Sequence, residues 1–188
     1  RQSTAIGGFF VSLHERNRRR IMSEKRRLLG MTLEELKGVA SEAGLPGYAA
    51  KQIADWLYKK KVTSIAAMTN IAAAKRTLLE KNFEVGAVPP SDLMKSVDGT
   101  IKYLYPAGPG NFVESVYIPT EDRATLCVSS QVGCKMNCLF CMTGKQGFTK
   151  NLSANEILNQ IQSLPETEEL TNIVFMGMGE PLDNVDEL

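Results

Sequence analysis

A chain of 188 residues with 43% hydrophobic content can bury a real core, in one domain or two small ones. No apolar stretch nears the ~20 residues of a membrane span. The longest candidate leader, Ile6 to Leu13, lacks a small-residue cleavage site, so a cytoplasmic protein with no membrane contact is expected. The net charge of +1 hides an asymmetry: residues 1–30 hold eight Lys/Arg against two Glu, and the remainder fourteen Lys/Arg against nineteen Asp/Glu. That basic segment reads either as an arm that touches RNA or as a solvated, partly disordered one. The chain opens on Arg1, and Met22 precedes the first well-patterned segment, which leaves open that residues 1–21 are translated from upstream of the natural start.

Thr32, with Glu35 three residues on, opens a capping-box helix whose Leu33, Leu36, Val39 and Ala40 share one face until Gly44 and Pro46 stop it. Ala49, Ile53, Trp56 and Leu57 form a second stripe ending in Lys59, Lys60 and Lys61, where positive charge suits a helix C-terminus. A third helix, led by Thr69, is predicted to carry Ile71, Ala74 and Leu78. Together they make a small helical module, in which Lys75, Arg76 and Lys81 serve either nucleic-acid contact or plain solvation.

From Leu93 the pattern turns to strands. Leu93 to Val97 and Thr100 to Tyr105 flank Asp98-Gly99, a two-residue hairpin signal. Beyond Gly108-Pro109-Gly110, the run Asn111 to Ile118 alternates so that Phe112, Glu114, Val116 and Ile118 share a face. Glu114 is a carboxylate in an apolar row, either functional or the wet end of an edge strand. A strand (Ala124 to Ser129), a cysteine loop, a helix with the capping box Ser153 and Glu156 and the stripe Ile157, Ile161 and Leu164, and a strand (Asn172 to Met176) then compose a βαβ unit. Its strands should be parallel and its crossover right-handed. A complete parallel barrel takes ~200 residues or more, so the stretch after Asp122 is expected to form only the first part of one, as in a truncated enzyme.

Four cysteines without a secretory signal point to metal ligands or catalytic thiols in preference to a disulfide framework. Cys134, Cys138 and Cys141 stand as C-x3-C-x2-C on the loop after the first βαβ strand. Three thiolates ligate three irons of a [4Fe-4S] cluster and leave the fourth iron to a non-protein ligand, so the spacing implies chemistry. The competing reading is a structural zinc site with Cys127 as fourth ligand. Against it, Cys127 lies inside a predicted strand between Leu126 and Val128, where it otherwise reads as a buried inert thiol. Gly177-Met178-Gly179-Glu180-Pro181 follows the last strand directly, where parallel α/β folds bind ligands and glycine lets the backbone approach one.

The cysteine motif, with Phe140 before its last cysteine, resembles that of the radical S-adenosylmethionine (SAM) superfamily, and Gly177 to Glu180 resembles that superfamily's "GGE" element. Longer stretches narrow the resemblance: Thr32-Leu33-Glu34-Glu35-Leu36, AKQIADWLY from Ala50, DGTIKYL from Asp98, EDRATLCVSSQVGC from Glu121, TGKQGF from Thr143 and MGMGEPL from Met176. From Met31 onward the chain is similar to the RlmN family of radical SAM RNA methyltransferases.

The resemblance implies an α/β chain: a basic segment (1–30), a helical accessory RNA-binding domain (31–88), a hairpin and strand extension (89–120) and a truncated radical SAM core (121–188), the first part of a parallel (β/α) partial barrel. It implies a cytoplasmic, monomeric enzyme that methylates carbon 2 of adenine in 23S rRNA and tRNA, with a [4Fe-4S] cluster, SAM and an electron donor such as flavodoxin. On the matching residues, Cys134, Cys138 and Cys141 would hold the cluster, Gly177, Gly179 and Glu180 would hold SAM, and Glu114 would be the acid/base carboxylate. Cys127 would resolve a covalent protein–RNA intermediate by a disulfide to a second, methyl-carrying cysteine that this chain lacks, so the chain alone is not expected to methylate RNA. Lys59 to Lys61 and Lys75 would contact RNA. A relative that methylates carbon 8 and a zinc-stabilised, non-catalytic RNA-binding module are the alternatives.

Overall fold

The computed structural model describes residues 25–188. The leader candidate at 6–13, Met22 and most of the basic segment lie outside the described residues. Of that segment, Arg26 and Arg27 are committed internally. Arg26–Arg27 (β1) pairs in parallel with Phe83–Glu84 (β2), Arg26 reaches Glu42 and lies over the Phe83 ring, and Arg27 faces Glu84 at 3.5 Å.

The capping box forms as the sequence predicts. Thr32 N–H donates to the Glu35 carboxylate at 2.7 Å and Glu35 N–H to Thr32 Oγ1 at 3.3 Å, starting α1 (Leu33–Glu42). Leu36, Val39 and Ala40 are buried, but Leu33 stays 46% exposed. Next, α2 (Ala49–Ala54) runs on through a π turn, Asp55–Lys59, and buries Ala49, Ile53 and Leu57. The third helix departs from the prediction. A 3-10 turn (Ile65–Ala67) comes first, α3 spans Ala73–Asn82, and the buried residue is Leu79, with Leu78 exposed. Tertiary burial overrides the spacing here: Met68 and Ile71 both plug into the module's core, and Asn70 accepts from the Trp56 indole, so the chain is still turning where the helix was expected.

Five strands form one sheet in the order β3 (Asp92–Lys95), β4 (Ile101–Pro106), β5 (Phe112–Pro119), β6 (Ala124–Cys127) and, last in sequence, Asn172–Val174; a separate pair, β7 (Gln131–Gly133) and β8 (Phe148–Asn151), brackets the cysteine loop, which makes the last sheet strand β9. The strands before Glu121 thus join directly to the parallel pair β6 and β9. The β3–β4 loop is longer than the predicted two residues. Gly99, at φ +87°, donates to Ser96 O and Ser96 N–H to Thr100 O, the geometry of a turn closed by a left-handed glycine. Strand β5 alternates as expected, but Val113, Ser115 and Tyr117 form its buried side, and Glu114 and Val116 face the opposite, more open side.

Helix α5 (Ala154–Gln162), started by the Ser153/Glu156 capping box, covers the buried face with Ile157 against Val113, Leu126, Val128 and Leu152. A four-residue helix, α4 (Met142–Lys145), precedes it in the cysteine loop. The sequence pattern missed the polar side of α5. Asn155 donates to Leu29 O and Gly86 O, and Asn159 both donates to Val88 O and accepts from Val88 N–H, so two amides fasten the helical module to α5. Among the described residues no helix is long and apolar enough to cross a membrane.

Two buried tyrosines pin the connection from α5 to β9: Tyr103 donates to Glu166 and Tyr117 to Glu169, each at 2.6 Å. The hydrogen bond to Glu169, then burial, pushes the Tyr117 hydroxyl up to about 12, and burial pushes Tyr105 there as well. A folded-state value raised above the unfolded one near 10 gives stability that is full below about pH 10 and lost as pH climbs through about 12. Urea unfolding across that window should show the decline, and Tyr117→Phe should flatten it. An unchanged slope in the variant would assign the loss elsewhere.

Candidate cluster and cofactor site

Cross-strand pairing brings several singled-out residues to the open face of the sheet. Val116 pairs with Cys127 and Cys127 with Val174, so these three share a face, and alternation along β5 adds Glu114. Lys102 Nζ lies 2.9 Å from the Glu114 carboxylate, both groups being partly exposed. Sequence reading missed this lysine, although it lies on β4 two residues before Leu104, which pairs with Glu114. Cys127 is a free, half-buried thiol, opposite in parity to the buried Leu126 and Val128. Burial raises its pKa, and the Met176 backbone N–H pulls the other way.

The cysteine loop is closed at its base by two strands that the sequence did not reveal. Gly133, at φ +74°, lies so close to Gly147 that Cys134 N–H reaches Gly147 O at 3.1 Å, and Cys134 is buried there. Asn137, at φ +49°, turns the loop against Gly144, and Cys141 N–H donates to Cys138 O. Backbone N–H groups converge on sulfur. Met136 N–H lies 3.5 Å from Cys134 Sγ, and N–H groups of Gly144, chiefly, and Thr143 at the start of α4 lower the Cys141 thiol. Cys138 is exposed, and its neighbours Leu139 and Phe140 are each 91% exposed. Among the described residues no three His, Cys, Asp or Glu side chains converge on one metal ion. A cubane cluster instead takes each thiolate at a different iron.

Gly177 to Glu180, which follows β9, packs against the segment leading from β6 into that loop. Gly177 N–H donates to Val128 O, Met178 N–H to Ser129 Oγ, and the N–H groups of Ser130 and Gln131 to Met178 O. The glycines are required: a Cβ on Gly177 would sit 2.7 Å from Ser129 Oγ, and one on Gly179 2.6 Å from Gln131 Cβ. Glu180 accepts from Leu182 N–H, and its own N–H donates to buried Gln131, which also reaches Asn151 and Asp183. Lys135, then Gln131, holds the Asp183 carboxyl below its usual range. Asn184 donates to Ser130 O and Leu152 O, each at 2.9 Å. Sequence reading missed Ser129, Gln131 and Asn184 as site-building residues; the signal for the first two was only their place in the stretch leading to Cys134.

The lysines expected to meet RNA have internal partners. Lys59 pairs with Asp55, Lys60 lies over the Trp56 ring, Lys61 reaches Glu168 and Thr167, and Lys75 caps α1 through Ala43 O and Gly44 O.

Two family models match the chain: the ribosomal RNA large subunit methyltransferase N-terminal domain over residues 27–85 and the radical SAM superfamily over residues 128–188. A protein of Parabacteroides distasonis named "Probable dual-specificity RNA methyltransferase RlmN" is 82% identical over 167 residues, covering 89% of this chain and 49% of that protein. The "Dual-specificity RNA methyltransferase RlmN" of Geotalea uraniireducens is 46% identical over 86% of this chain and 47% of its own length. A crystal structure of a radical SAM methyltransferase from Sphaerobacter thermophilus superposes with a TM-score of 0.78 at 37% identity, over 86% of this chain and 49% of that one. The chain spans about half the length of the curated relatives it matches. The likeness fits the βαβ unit as part of a radical SAM (β/α) barrel that uses a [4Fe-4S] cluster and SAM. From its helical module to the loop after β9, the chain belongs to the RlmN family of the radical SAM superfamily.

Proposed function

We propose that the protein containing this chain methylates carbon 2 of adenine in 23S rRNA and tRNA by radical SAM chemistry. The observation that carries this reading is the meeting of three features: the cysteine loop, the Gly177–Glu180 turn hydrogen-bonded to the segment that feeds it, and Glu114 on the neighbouring strand face. The residues fit the cluster, because Cys134, Cys138 and Cys141 share one loop whose N–H groups already point at sulfur. A [4Fe-4S] cluster held by these three thiolates would supply one-electron chemistry to bound SAM.

In this reading the backbone at Gly177 and Gly179, with Glu180, receives the amino end of SAM. Glu114 exchanges a proton with the adenine, and Lys102 neutralises its charge between turnovers. The Cys127 thiol, kept protonated by burial, waits to release the RNA from the protein. Residues 31–88 contact the RNA. The reading places the protein in the cytoplasm as a monomer reduced by a donor such as flavodoxin. The support is the family membership, the names of the relatives and the placement of these side chains.

Anaerobic reconstitution with iron and sulfide tests the reading. The expected product is a brown protein with a reduced cluster whose EPR spectrum changes when SAM is added. A colourless protein holding zinc, with no response to SAM, would favour the RNA-binding module instead.

A further inference from the structure

One buried hydroxyl joins the strand that carries Glu114 to the turn assigned to SAM. Ser129 is fully buried; its Oγ donates to Glu114 O at 2.6 Å and accepts from Met178 N–H at 2.8 Å. The Ser129 backbone is itself clamped from below. Gln160 on α5, also fully buried, accepts from Ser129 N–H and donates to Ser129 O, both at 2.9 Å, a two-point grip on the backbone of one residue. Gly177 leaves room for this hydroxyl, since a Cβ there would approach it to 2.7 Å. A rotating hydroxyl with one donor and two acceptor positions suits the role, because it serves a carbonyl on one side and an amide on the other.

We infer that Ser129, gripped by Gln160, is a positioning residue that sets the Gly177–Glu180 turn in register with Glu114. The inference rests on the methyltransferase reading for what the turn binds, but the hydrogen bonds belong to the chain as it stands. The register matters because the turn presents backbone to a small polar ligand, and displacements of well under a bond length weaken such contacts. Without the hydroxyl, Met178 N–H loses its acceptor and Glu114 O its donor in a buried place, and the turn moves to re-satisfy them.

The experiment compares wild type with Ser129→Ala and Ser129→Thr in the intact, anaerobically reconstituted protein, measuring iron content and SAM affinity by equilibrium dialysis. The expected result is unchanged iron, SAM binding weakened on the order of tenfold in the alanine variant, and recovery in the threonine variant, which keeps the hydroxyl. An alanine variant that binds SAM within about twofold of wild type, by the same measure, overturns the inference. Hydrogen exchange on the wild-type chain gives a second arm that needs neither cluster nor variant. The Met178 amide should be protected like that of Val128, which donates to Val174 O at 2.9 Å in the sheet, and a freely exchanging Met178 amide overturns the inference. A wild type that takes up no cluster overturns the methyltransferase reading instead, and hydrogen exchange then decides the positioning role by itself.

Discussion

Cys138→Ala should leave the reconstituted protein without a cluster, its iron at background and its reduced EPR signal gone. Three irons need three thiolates, and removing one exposes a corner of the cubane to solvent and loss. Cys138 is the informative choice because it is exposed and among the described residues bonds only through its backbone, Cys141 N–H donating to its carbonyl. The alanine variant keeps that bond, so the unreconstituted chain should melt within about 0.5 kcal/mol of wild type. Cys134→Ala is a poorer test, since that residue is buried at the base of the loop. Cys127→Ala is the matched control: on the sheet face beside Val116 and Val174, it should leave iron content untouched. Iron lost in the Cys127 variant and kept in the Cys138 variant would refute the ligand assignment.

Gly133→Ala should be the most damaging single methyl in the described chain. A Cβ at this position would lie 1.7 Å from Gly147 O, and both partners are backbone, so no rotamer relieves the overlap. The residue also holds φ +74°, which costs an L-residue roughly 1–2 kcal/mol by itself. To escape, the β7–β8 pair must open and Cys134 N–H must give up Gly147 O. The combined penalty should reach about 3 kcal/mol or more, read as a lower urea midpoint together with poor iron uptake. Gly147→Ala separates strain from collision. It shares the left-handed backbone at φ +76° but meets nothing within 4 Å, so about 1 kcal/mol is expected. Equal losses at the two glycines would show that the overlap is relieved and that the loop base is softer than its geometry indicates.

The sequence by itself determined what depends on near neighbours in the chain. Both capping boxes, the strand parity of β5, the βαβ order, the three-cysteine loop and the glycine-rich turn follow from spacings of two to four residues, and the structure contains each. Family membership was equally local, carried by short runs of identical letters. Tertiary structure decided whatever depended on residues far apart. Which side of β5 is buried was set by where α5 lands, which turned Val113 and Tyr117 inward and Glu114 toward the open face. The start of α3 was set by Met68 and Ile71 filling the module's core, and a periodicity search cannot weigh that burial. Lys61 and Lys75 read as free charge in sequence and are internal ties in the fold, to Glu168 and to the carbonyl end of α1. Ser129 and Gln131 showed only as letters in the run leading to Cys134, and Gln160 carried no pattern at all. Their roles come from buried backbone groups brought together across as many as 49 residues of chain, which must find hydrogen-bond partners once water is excluded.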